Sequence, residues 1–377
     1  MIQAIAFDMD DTLLNDDREI TPYTLTILRR VADKGIHIVD NRNPASPRIA
    51  GFVELIGNED LSIKDDKLYA DSYVDLVWFD ISDPERPELE GRVENAFRYA
   101  LPTIENGYGF DYNMCYSEEA RAKGVVVGWE PKEREETIYH YPSYGGDLMA
   151  NDAAPGTSTQ GVNGSMARFS IYGKYLYTVE QNIMCVFDLS GNKPVLTTND
   201  IWLQRGVETL FNYKDKMFMG TPTGMLIYSL EDPLAPKYRS SVSHVFGCDP
   251  VVVEDDLAYV TVHSGNTCGQ NTNELMLIDV SDVDQPNLLV TYGMKCPKGL
   301  GIDNGTLFLC DEGLKVFNAK DPMTLMANQL VHYAGMEGYD VIPFKNTLMM
   351  IADDGLYQYD YSNLQAISQL SKLPMGE

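Results

Sequence analysis

The feature that most constrains this chain is a short apolar segment that recurs seven times, each time followed by a turn that usually contains proline. The segments end on Asp or on another small polar residue, and those end positions are 40, 108, 41, 50, 39 and 42 residues apart. A period of about 40 to 45 residues built from short strands is typical of β-propeller blades. The segments are 36–39 before Asp40, 76–79 before Asp80, 184–187 before Asp188, 225–228 before Ser229, 275–278 before Asp279, 314–317 before Asn318 and 356–359 before Asp360.

A second apolar segment precedes six of these seven strands and is itself preceded by a polar two-residue turn. The turns are Asp65-Asp66, Gly173-Lys174, Lys214-Asp215, Asp255-Asp256, Asn304-Gly305 and Lys345-Asn346. Asn, Asp and Gly tolerate the positive φ angles that tight hairpins require. Each unit therefore predicts four strands in order: an inner strand, its hairpin partner, the recurring strand, and an outer strand after the proline turn. One such unit cannot bury both of its faces, so the units are expected to pack in a ring.

The turn after the recurring strand has a sequence of its own, in which Asn or Asp stands beside or near proline. Its instances are Asn43-Pro44, Asp83-Pro84, Asp232-Pro233, Asp282 with Pro286, and Asp321-Pro322. A strand closing on Asp followed by this turn resembles the LVIVD-repeat β-propeller proteins, and the resemblance covers about residues 34–377. It implies an all-β fold. The sequence predicts a seven-bladed β-propeller with an incomplete first blade, preceded by a short β-strand/α-helix fragment.

The first repeat lacks its preceding hairpin, and a different pattern stands in that place. The segment 1–14 is an apolar strand that ends on Asp8, Asp10 and Asp11, and a helix-like stretch follows from 21 to 34. This opening resembles motif I of the Cof-type haloacid dehalogenase-like phosphatases. The chain is accordingly divided into a truncated fragment of that family at 1–34 and an LVIVD-repeat propeller at 35–377.

The phosphatase resemblance implies a specific chemistry for the two aspartates. Asp8 would attack phosphorus as the nucleophile, and Asp10 would act as general acid and then base, with both carboxylates near a bound Mg²⁺. A complete phosphatase of this kind also needs a Ser or Thr phosphate ligand, a charge-neutralising Lys and a later acidic Gly-Asp motif on further parallel strands. The sequence after Val39 shows none of these, which leaves phosphoryl charge without stabilisation. Phosphatase activity is therefore the alternative function.

The junction between the two patterns falls in the segment 34–39, Lys-Gly-Ile-His-Ile-Val. It fits the end of the first helix and the second strand of the phosphatase, and it also fits the third strand of an LVIVD unit. A short segment that fits both families indicates a chimera, produced by recombination or by a sequence-assembly error. Long reads across codons 30 to 45 of the encoding DNA test this hypothesis, since uniform coverage there would contradict an artefact.

A long insertion at about 90–168 interrupts the period. It contains tyrosines and tryptophan that predict a binding surface, because rigid and half-polar aromatic side chains suit one. Packing over the edge of a blade is the alternative. The candidate surface residues are Tyr108, Tyr112, Tyr116, Trp129, Tyr139, Tyr141 and Tyr144.

The cysteines allow two disulfides, in which Cys248 would pair with Cys268 and Cys296 with Cys310, because each pair brackets one hairpin. Small unpaired hydrophobic cysteines are the alternative. A zinc site formed by His244, Cys248, His263 and Cys268 is a further hypothesis for the same region.

Charge excludes one class of partner. With 56 acidic and 29 basic residues the net charge is −27, which argues against nucleic acid. The acidic segment 279–284 superficially resembles a Ca²⁺ loop, but its place in the recurring turn favours a structural role. No apolar stretch is long enough to span a bilayer, and no signal peptide is visible.

These observations predict a non-catalytic β-propeller scaffold that binds an unidentified protein or small molecule and needs no cofactor, or Mg²⁺ if the phosphatase alternative holds. The resemblance to the LVIVD-repeat proteins implies an exported or cell-surface bacterial ancestor.

Overall fold

A computed structural model describes residues 4–7, 35–101, 115–129, 167–180, 182–204, 206–243, 250–263 and 272–374. Its strands form seven antiparallel sheets, six of them with four strands and one with three. Within these ranges, helix is found at residues 115–116, in the six-residue α1 (Glu118–Lys123) and in a 3-10 helix at Pro322–Asn328. In the described ranges no helix has the length and apolar character needed to cross a bilayer.

Consecutive strands pair with one another, so every sheet is an up-and-down meander. We number the three-stranded sheet as the first sheet and the others as blades 2 to 7. The first sheet contains β1 (Ala4–Phe7), β2 (Gly35–Asp40) and β3 (Arg48–Glu54); blade 2 contains β4 (Leu61–Lys64), β5 (Lys67–Ser72), β6 (Asp75–Asp80) and β7 (Glu88–Val93); blade 3 contains β8 (Phe169–Tyr172), β9 (Tyr175–Glu180), β10 (Ile183–Asp188) and β11 (Val195–Trp202); blade 4 contains β12 (Thr209–Tyr213), β13 (Lys216–Thr221), β14 (Gly224–Ser229) and β15 (Lys237–Ser243); blade 5 contains β16 (Val251–Glu254), β17 (Leu257–Val262), β18 (Glu274–Asp279) and β19 (Asn287–Gly293); blade 6 contains β20 (Leu300–Asp303), β21 (Thr306–Cys310), β22 (Leu314–Asn318) and β23 (Gln329–Tyr333); blade 7 contains β24 (Gly338–Phe344), β25 (Thr347–Ala352), β26 (Gly355–Asp360) and β27 (Ser368–Pro374).

The all-β propeller prediction is confirmed, with a correction to the number of blades. The prediction was seven blades with the first incomplete; the structure has six four-stranded blades, and the unit predicted to be incomplete is the three-stranded sheet. Its β1 pairs antiparallel with β2, from Ala4 opposite Asp40 to Phe7 opposite His37, and so occupies the second-strand position. The N-terminal segment supplies one strand where the other units supply a hairpin, and within the described residues no strand takes the innermost position of this sheet.

The recurring Asp has a local structural function. In blade 5 the Asp279 carboxylate accepts a hydrogen bond from the Ser281 backbone N–H at 2.9 Å, and Asp282 accepts one from the Asp284 N–H at 3.0 Å. Such side-chain bonds two residues on stabilise tight turns. They support the structural interpretation of the acidic segment 279–284. The first of these bonds recurs between Asp40 and Arg42, Asp80 and Ser82, Asp188 and Ser190, Ser229 and Glu231, Asn318 and Lys320, and Asp360 and Ser362.

The hairpins between inner and second strands also follow the predicted turn chemistry. Asp65, Lys214 and Asn304 have φ angles of 55°, 53° and 50°, and Gly305 has φ 70°. Two-residue turns with positive φ match the twist of the strands that they join. The polar pairs in the sequence therefore do mark the hairpins.

The core lies between neighbouring sheets, and the inner strands β4, β8, β12, β16, β20 and β24 pack side by side in that order. The first sheet closes the ring against blade 7. Gln358 donates a hydrogen bond from Nε2 to the Asn41 Oδ1 at 2.7 Å, both residues being buried, and Ser371 Oγ donates to the Pro44 carbonyl at 2.6 Å. Closure therefore depends on side-chain contacts between the two sheets.

Glycine begins the third strand of blades 4 and 7 and directly precedes that of blade 6, and its replacement should be costly. Gly355 has φ +143°, and a Cβ there would stand 2.3 Å from the Leu373 carbonyl oxygen of the neighbouring strand. We expect Gly355→Ala to lower the free energy of unfolding by about 1 to 3 kcal/mol, measured by urea denaturation. Gly293→Ala is the matched control, because a Cβ at Gly293 would meet open space. Equal stabilities of the two variants would contradict this explanation.

Candidate functional site

The strand register defines two faces of the propeller. We call the face at which the inner strands begin the top face, and the face that carries the hairpin turns and proline turns the bottom face. In blade 3 the top ends of the strands are in register, since Ile183 pairs with Glu180 on one side and with Trp202 on the other. Arg168 directly precedes the inner strand β8. From the channel outward, the top end of blade 3 therefore presents Arg168, Glu180, Ile183 and Trp202.

An ionic cluster lies at the inner part of this face, where blades 2 and 3 meet. We define it as Glu59, Asp60, Asp71, Arg168 and Glu180. The Arg168 guanidinium donates to the Asp60 carboxylate at 2.6 Å and to Glu59 at 2.8 Å, and it lies 3.8 Å from Glu180. The Arg168 and Asp60 side chains are only 7% and 1% exposed. This ion pair joins two blades across 108 residues of sequence.

Asp71 holds the loop that leads into the inner strand of blade 2. Its Oδ1 accepts hydrogen bonds from the Glu59 N–H and the Asp60 N–H, both at 2.8 Å, and from Asn58 Nδ2 at 2.7 Å. Blade 6 has a similar arrangement, in which Asp311 accepts a hydrogen bond from the Cys296 N–H at 2.7 Å. Asp71 therefore positions the other members of the cluster.

The cluster contains four carboxyl groups and one guanidinium, and this imbalance perturbs their protonation. Burial raises the pKa of Asp60 to about 6, although the charge of Arg168 opposes the shift. Burial also raises the pKa of Glu180 to about 7 and that of Asp71 well above its usual range. These carboxyl groups can therefore gain protons near neutral pH, and the partly exposed Glu59 and Glu180 present hydrogen-bond acceptors to the top face.

An aromatic patch lies at the outer part of the same face, and we define it as Tyr99, Tyr116 and Trp202. The ring centroids of Tyr99 and Tyr116 are 5.7 Å apart, and those of Tyr99 and Trp202 are 6.1 Å apart. The Tyr116 hydroxyl donates to the Tyr99 carbonyl at 3.0 Å, which fixes the start of the insertion against its later part. The Trp202 residue is 62% exposed. A fixed tryptophan with an open face is a typical anchor for a ligand or a partner.

The predicted aromatic surface is described in part. Tyr116 belongs to the aromatic patch, and Trp129 is half-buried at the end of the described part of the insertion. Sequence reasoning missed Tyr99 and Trp202, although a tryptophan at the polar end of an outer strand was a usable signal. Tyr108, Tyr112, Tyr139, Tyr141 and Tyr144 lie outside the described residues.

Of the other predicted site residues, too, the structure describes only some. Asp8 and Asp10, the candidate catalytic pair and Mg²⁺ ligands, lie outside the described residues, as do His244, Cys248 and Cys268. In the ranges that the structure does describe, no group of three or more His, Cys, Asp or Glu side chains is arranged to hold a metal ion.

The disulfide predicted between Cys296 and Cys310 is not formed in the structure. Cys310 ends β21 and is buried, and its Sγ would lie 3.0 Å from a Cβ built on Gly338 in blade 7. Cys296 lies in the loop that Asp311 holds through its backbone N–H. The Cys310 side chain is thus packed towards the next blade, which the hairpin argument did not consider.

Comparison with protein-family models gives two kinds of match. The model of the LVIVD repeat matches residues 59–95 and 249–293. The chain carries LVIVD repeats. A model described as haloacid dehalogenase-like hydrolase matches residues 5–39 and therefore ends inside β2, which is also the third-position strand of the first LVIVD-like unit. The two matches are consistent with a chimera, and the boundary at residue 34 stays a prediction.

Solved structures show the same propeller fold at low identity. A protein from Lactobacillus plantarum is 11% identical with a TM-score of 0.59, covering 99% of this chain and 96% of that one. A periplasmic gluconolactonase from Pseudomonas aeruginosa is 10% identical with a TM-score of 0.56, covering 92% and 93%. A putative 6-phosphogluconolactonase from Bacteroides fragilis is 7% identical with a TM-score of 0.54, covering 90% of each chain. A search of the curated proteins found no match.

Proposed function

We propose that this protein is a non-catalytic binding scaffold that holds a ligand or a protein partner on the top face of the propeller. The observation that carries the proposal is the aromatic patch, in which the exposed Trp202 is supported by Tyr99 and Tyr116. A large aromatic ring that is already fixed loses little conformational freedom when it binds. The patch thus offers contact area at low entropic cost.

The ionic cluster supports the same face as the binding face. It lies inward of the patch on blade 3, and its partly exposed Glu59 and Glu180 provide acceptors beside the aromatic anchor. An apolar anchor with a few fixed polar groups is the usual composition of a recognition site. The buried members Asp60 and Asp71 are bound to Arg168 and to backbone N–H groups, so their role is to hold this arrangement.

The topology of the N-terminal segment favours a scaffold over the phosphatase alternative. A phosphatase of the haloacid dehalogenase-like kind places its first strand in a parallel sheet with its other active-site motifs on neighbouring strands. Here β1 pairs antiparallel with β2 and takes part in a propeller sheet. The partners that Asp8 and Asp10 would need on such strands are missing from the sequence after Val39.

The test uses Trp202→Ser in a pull-down from a bacterial extract, with retained species quantified by mass spectrometry. For each species that the wild-type protein retains, we expect the amount retained by this variant to fall at least about tenfold. Leu89→Ser is the matched control, because Leu89 is 59% exposed on the outer strand of blade 2. Retention of the same species at the same level by Trp202→Ser would show that the aromatic patch is not the binding surface.

Assays for hydrolysis separate the scaffold from an enzyme. The wild-type protein is incubated with p-nitrophenyl phosphate and Mg²⁺, and separately with δ-gluconolactone, because two structural neighbours are named gluconolactonases. The scaffold proposal expects no turnover above the buffer rate. Phosphate release that disappears in Asp8→Asn, or lactone opening that requires the folded protein, would overturn it.

A further inference from the structure

A cavity of about 340 Å³ opens on the bottom face between blades 4 and 5. Its floor includes the buried residues Phe218, Val253 and Val280. The hairpin turn of blade 4 and the proline turn of blade 5 form its rim. This volume lies in the range of small-molecule sites, and the cavity is on the opposite face from the aromatic patch.

Three cationic side chains of blade 4, those of Lys214, Lys216 and Arg239, line this cavity in a chain of net charge −27. The arrangement differs from that of blade 2 at the same register. In both blades the first residue of the second strand is a lysine, Lys67 in blade 2 and Lys216 in blade 4. This lysine pairs with the last residue of the third strand, which in turn pairs with the first residue of the outer strand. The residue two positions into the outer strand is Glu90 in blade 2 and Arg239 in blade 4.

The consequence is a change from an ion pair to two like charges. Lys67 and Glu90 form a salt bridge in blade 2. In blade 4 both positions are cationic, and each cation has its own carboxylate partner: Lys216 lies 2.7 Å from Asp215, and Arg239 donates two hydrogen bonds to Asp284 at 2.8 and 2.6 Å. The positive field of Lys216 and Arg239 reaches the same neighbours. The hydrogen bond from Lys216 lowers the pKa of Asp215, and the charge of Arg239 adds to this shift. The hydrogen bond from Arg239 lowers the pKa of Asp284, and the charge of Lys216 adds to that shift.

One ion pair at the rim of the cavity, between Lys214 and Asp256, is weak enough to be exchanged for a ligand. Lys214 and Asp256 are 3.3 Å apart, and both side chains are 56% exposed. Pairs this open contribute little to stability. Asp256 and Asp282 also line the cavity, so its rim offers carboxylate acceptors beside the cations.

We propose that this cavity binds a small organic anion that carries hydroxyl groups. Lys216 and Arg239 bind the acid group of the ligand, and the Asp256 and Asp282 carboxylates accept hydrogen bonds from its hydroxyls. The apolar floor of Phe218 and Val253 packs against its carbon skeleton. Charge-assisted hydrogen bonds supply the affinity, and the rim carboxylates supply the preference for a hydroxylated acid over a plain one.

The test is isothermal titration of the full chain with tartrate and with succinate, which match in charge and carbon number but differ in hydroxyls. We expect saturable binding of tartrate, and binding of succinate that is weaker by about tenfold. Lys216→Gln should weaken tartrate binding by about tenfold or more, whereas the matched control Lys67→Gln should leave it unchanged. Thermal unfolding of both variants establishes that the fold is intact.

A second variant covers the case in which Lys216→Gln does not fold. Arg239→Gln removes the other cation and should weaken tartrate binding by a similar factor, and Asp256→Asn should reduce the preference of tartrate over succinate. Three results would overturn the proposal: no saturable binding of tartrate below about 10 mM, equal affinities for the two acids, or tartrate binding that neither cation variant changes.

Discussion

Replacing Arg168 with leucine should lower the free energy of unfolding by about 3 to 5 kcal/mol. The substitution leaves the Asp60 carboxylate, which is almost fully buried, without its cationic partner, and it removes the only guanidinium of the ionic cluster. Burying an uncompensated charge is one of the most costly single changes in a folded protein. Urea denaturation followed by circular dichroism measures the effect.

Two further variants test the cause of this loss. Arg92→Leu breaks the more exposed pair between Arg92 and Asp75 and should cost less than about 1 kcal/mol. The double variant Arg168→Leu with Asp60→Leu should recover part of the stability, because it removes both buried charges together. A loss below about 1 kcal/mol for Arg168→Leu alone would mean that the ion pair does not hold blades 2 and 3 together.

The free energy of unfolding should rise by about 2 to 3 kcal/mol when the pH is lowered from 7.5 to 5. The folded-state pKa of Asp60 is about 6, above its ordinary 3.8, so the folded protein binds more protons than the unfolded chain between about pH 4 and 7. Stability is therefore highest when the group is protonated and declines as the pH rises through 6. The raised pKa of Glu180, about 7, acts in the same direction.

The trend reverses in stronger acid. The hydrogen bond from Arg42 lowers the pKa of Asp40 to about 2, and the one from Ser190 does the same for Asp188. These groups stabilise the fold while they are ionised, so their contribution is lost as the pH falls from about 4 through 2. Stability measured by urea denaturation across pH 2 to 8 should pass through a maximum near pH 4 to 5.

An Asp→Asn pair identifies the source of the pH dependence. Asp60→Asn should reduce the slope between pH 5 and 7.5, because one buried titrating group is removed, and leave the part that Glu180 contributes. Asp80→Asn is the control, since the pKa of Asp80 is lowered by its hydrogen bond with Ser82 and its titration falls outside that window. A slope that persists unchanged in Asp60→Asn would assign the pH dependence to other groups.

The turn chemistry explains why the propeller could be predicted. Asp279 and its counterparts each accept a hydrogen bond from a residue two positions on, and the hairpin residues Asp65 and Asn304 adopt positive φ within a two-residue turn. These interactions lie within a few residues of sequence, so residue type and spacing were enough to find them. The difference between the seven blades predicted and the six four-stranded blades found arose where the N-terminal segment supplies one strand instead of a hairpin.

The candidate site could be predicted only in part, because its contacts join residues that are not close together in the sequence. Tyr116 was identified because it lies in a tyrosine-rich insertion, but the other two members of the patch are Tyr99, at the start of the insertion, and Trp202, at the end of the outer strand of blade 3. The Cys296–Cys310 pairing was predicted from hairpin geometry alone, whereas the side chain of Cys310 packs towards Gly338 of the next blade. Contacts between blades decided both outcomes.

The amino-acid sequence by itself determined the repeat, the turns, the all-β class and the double resemblance of the N-terminal junction, because each depends on residues close together in the chain. Only the tertiary structure placed Arg168 against Asp60, Trp202 against Tyr99, and the cations of blade 4 around one cavity. The pairing of Arg168 with Asp60 joins residues 108 positions apart and forms when separate sheets pack. The period of a repeat specifies the fold of each unit, but it does not specify which side chains meet between units.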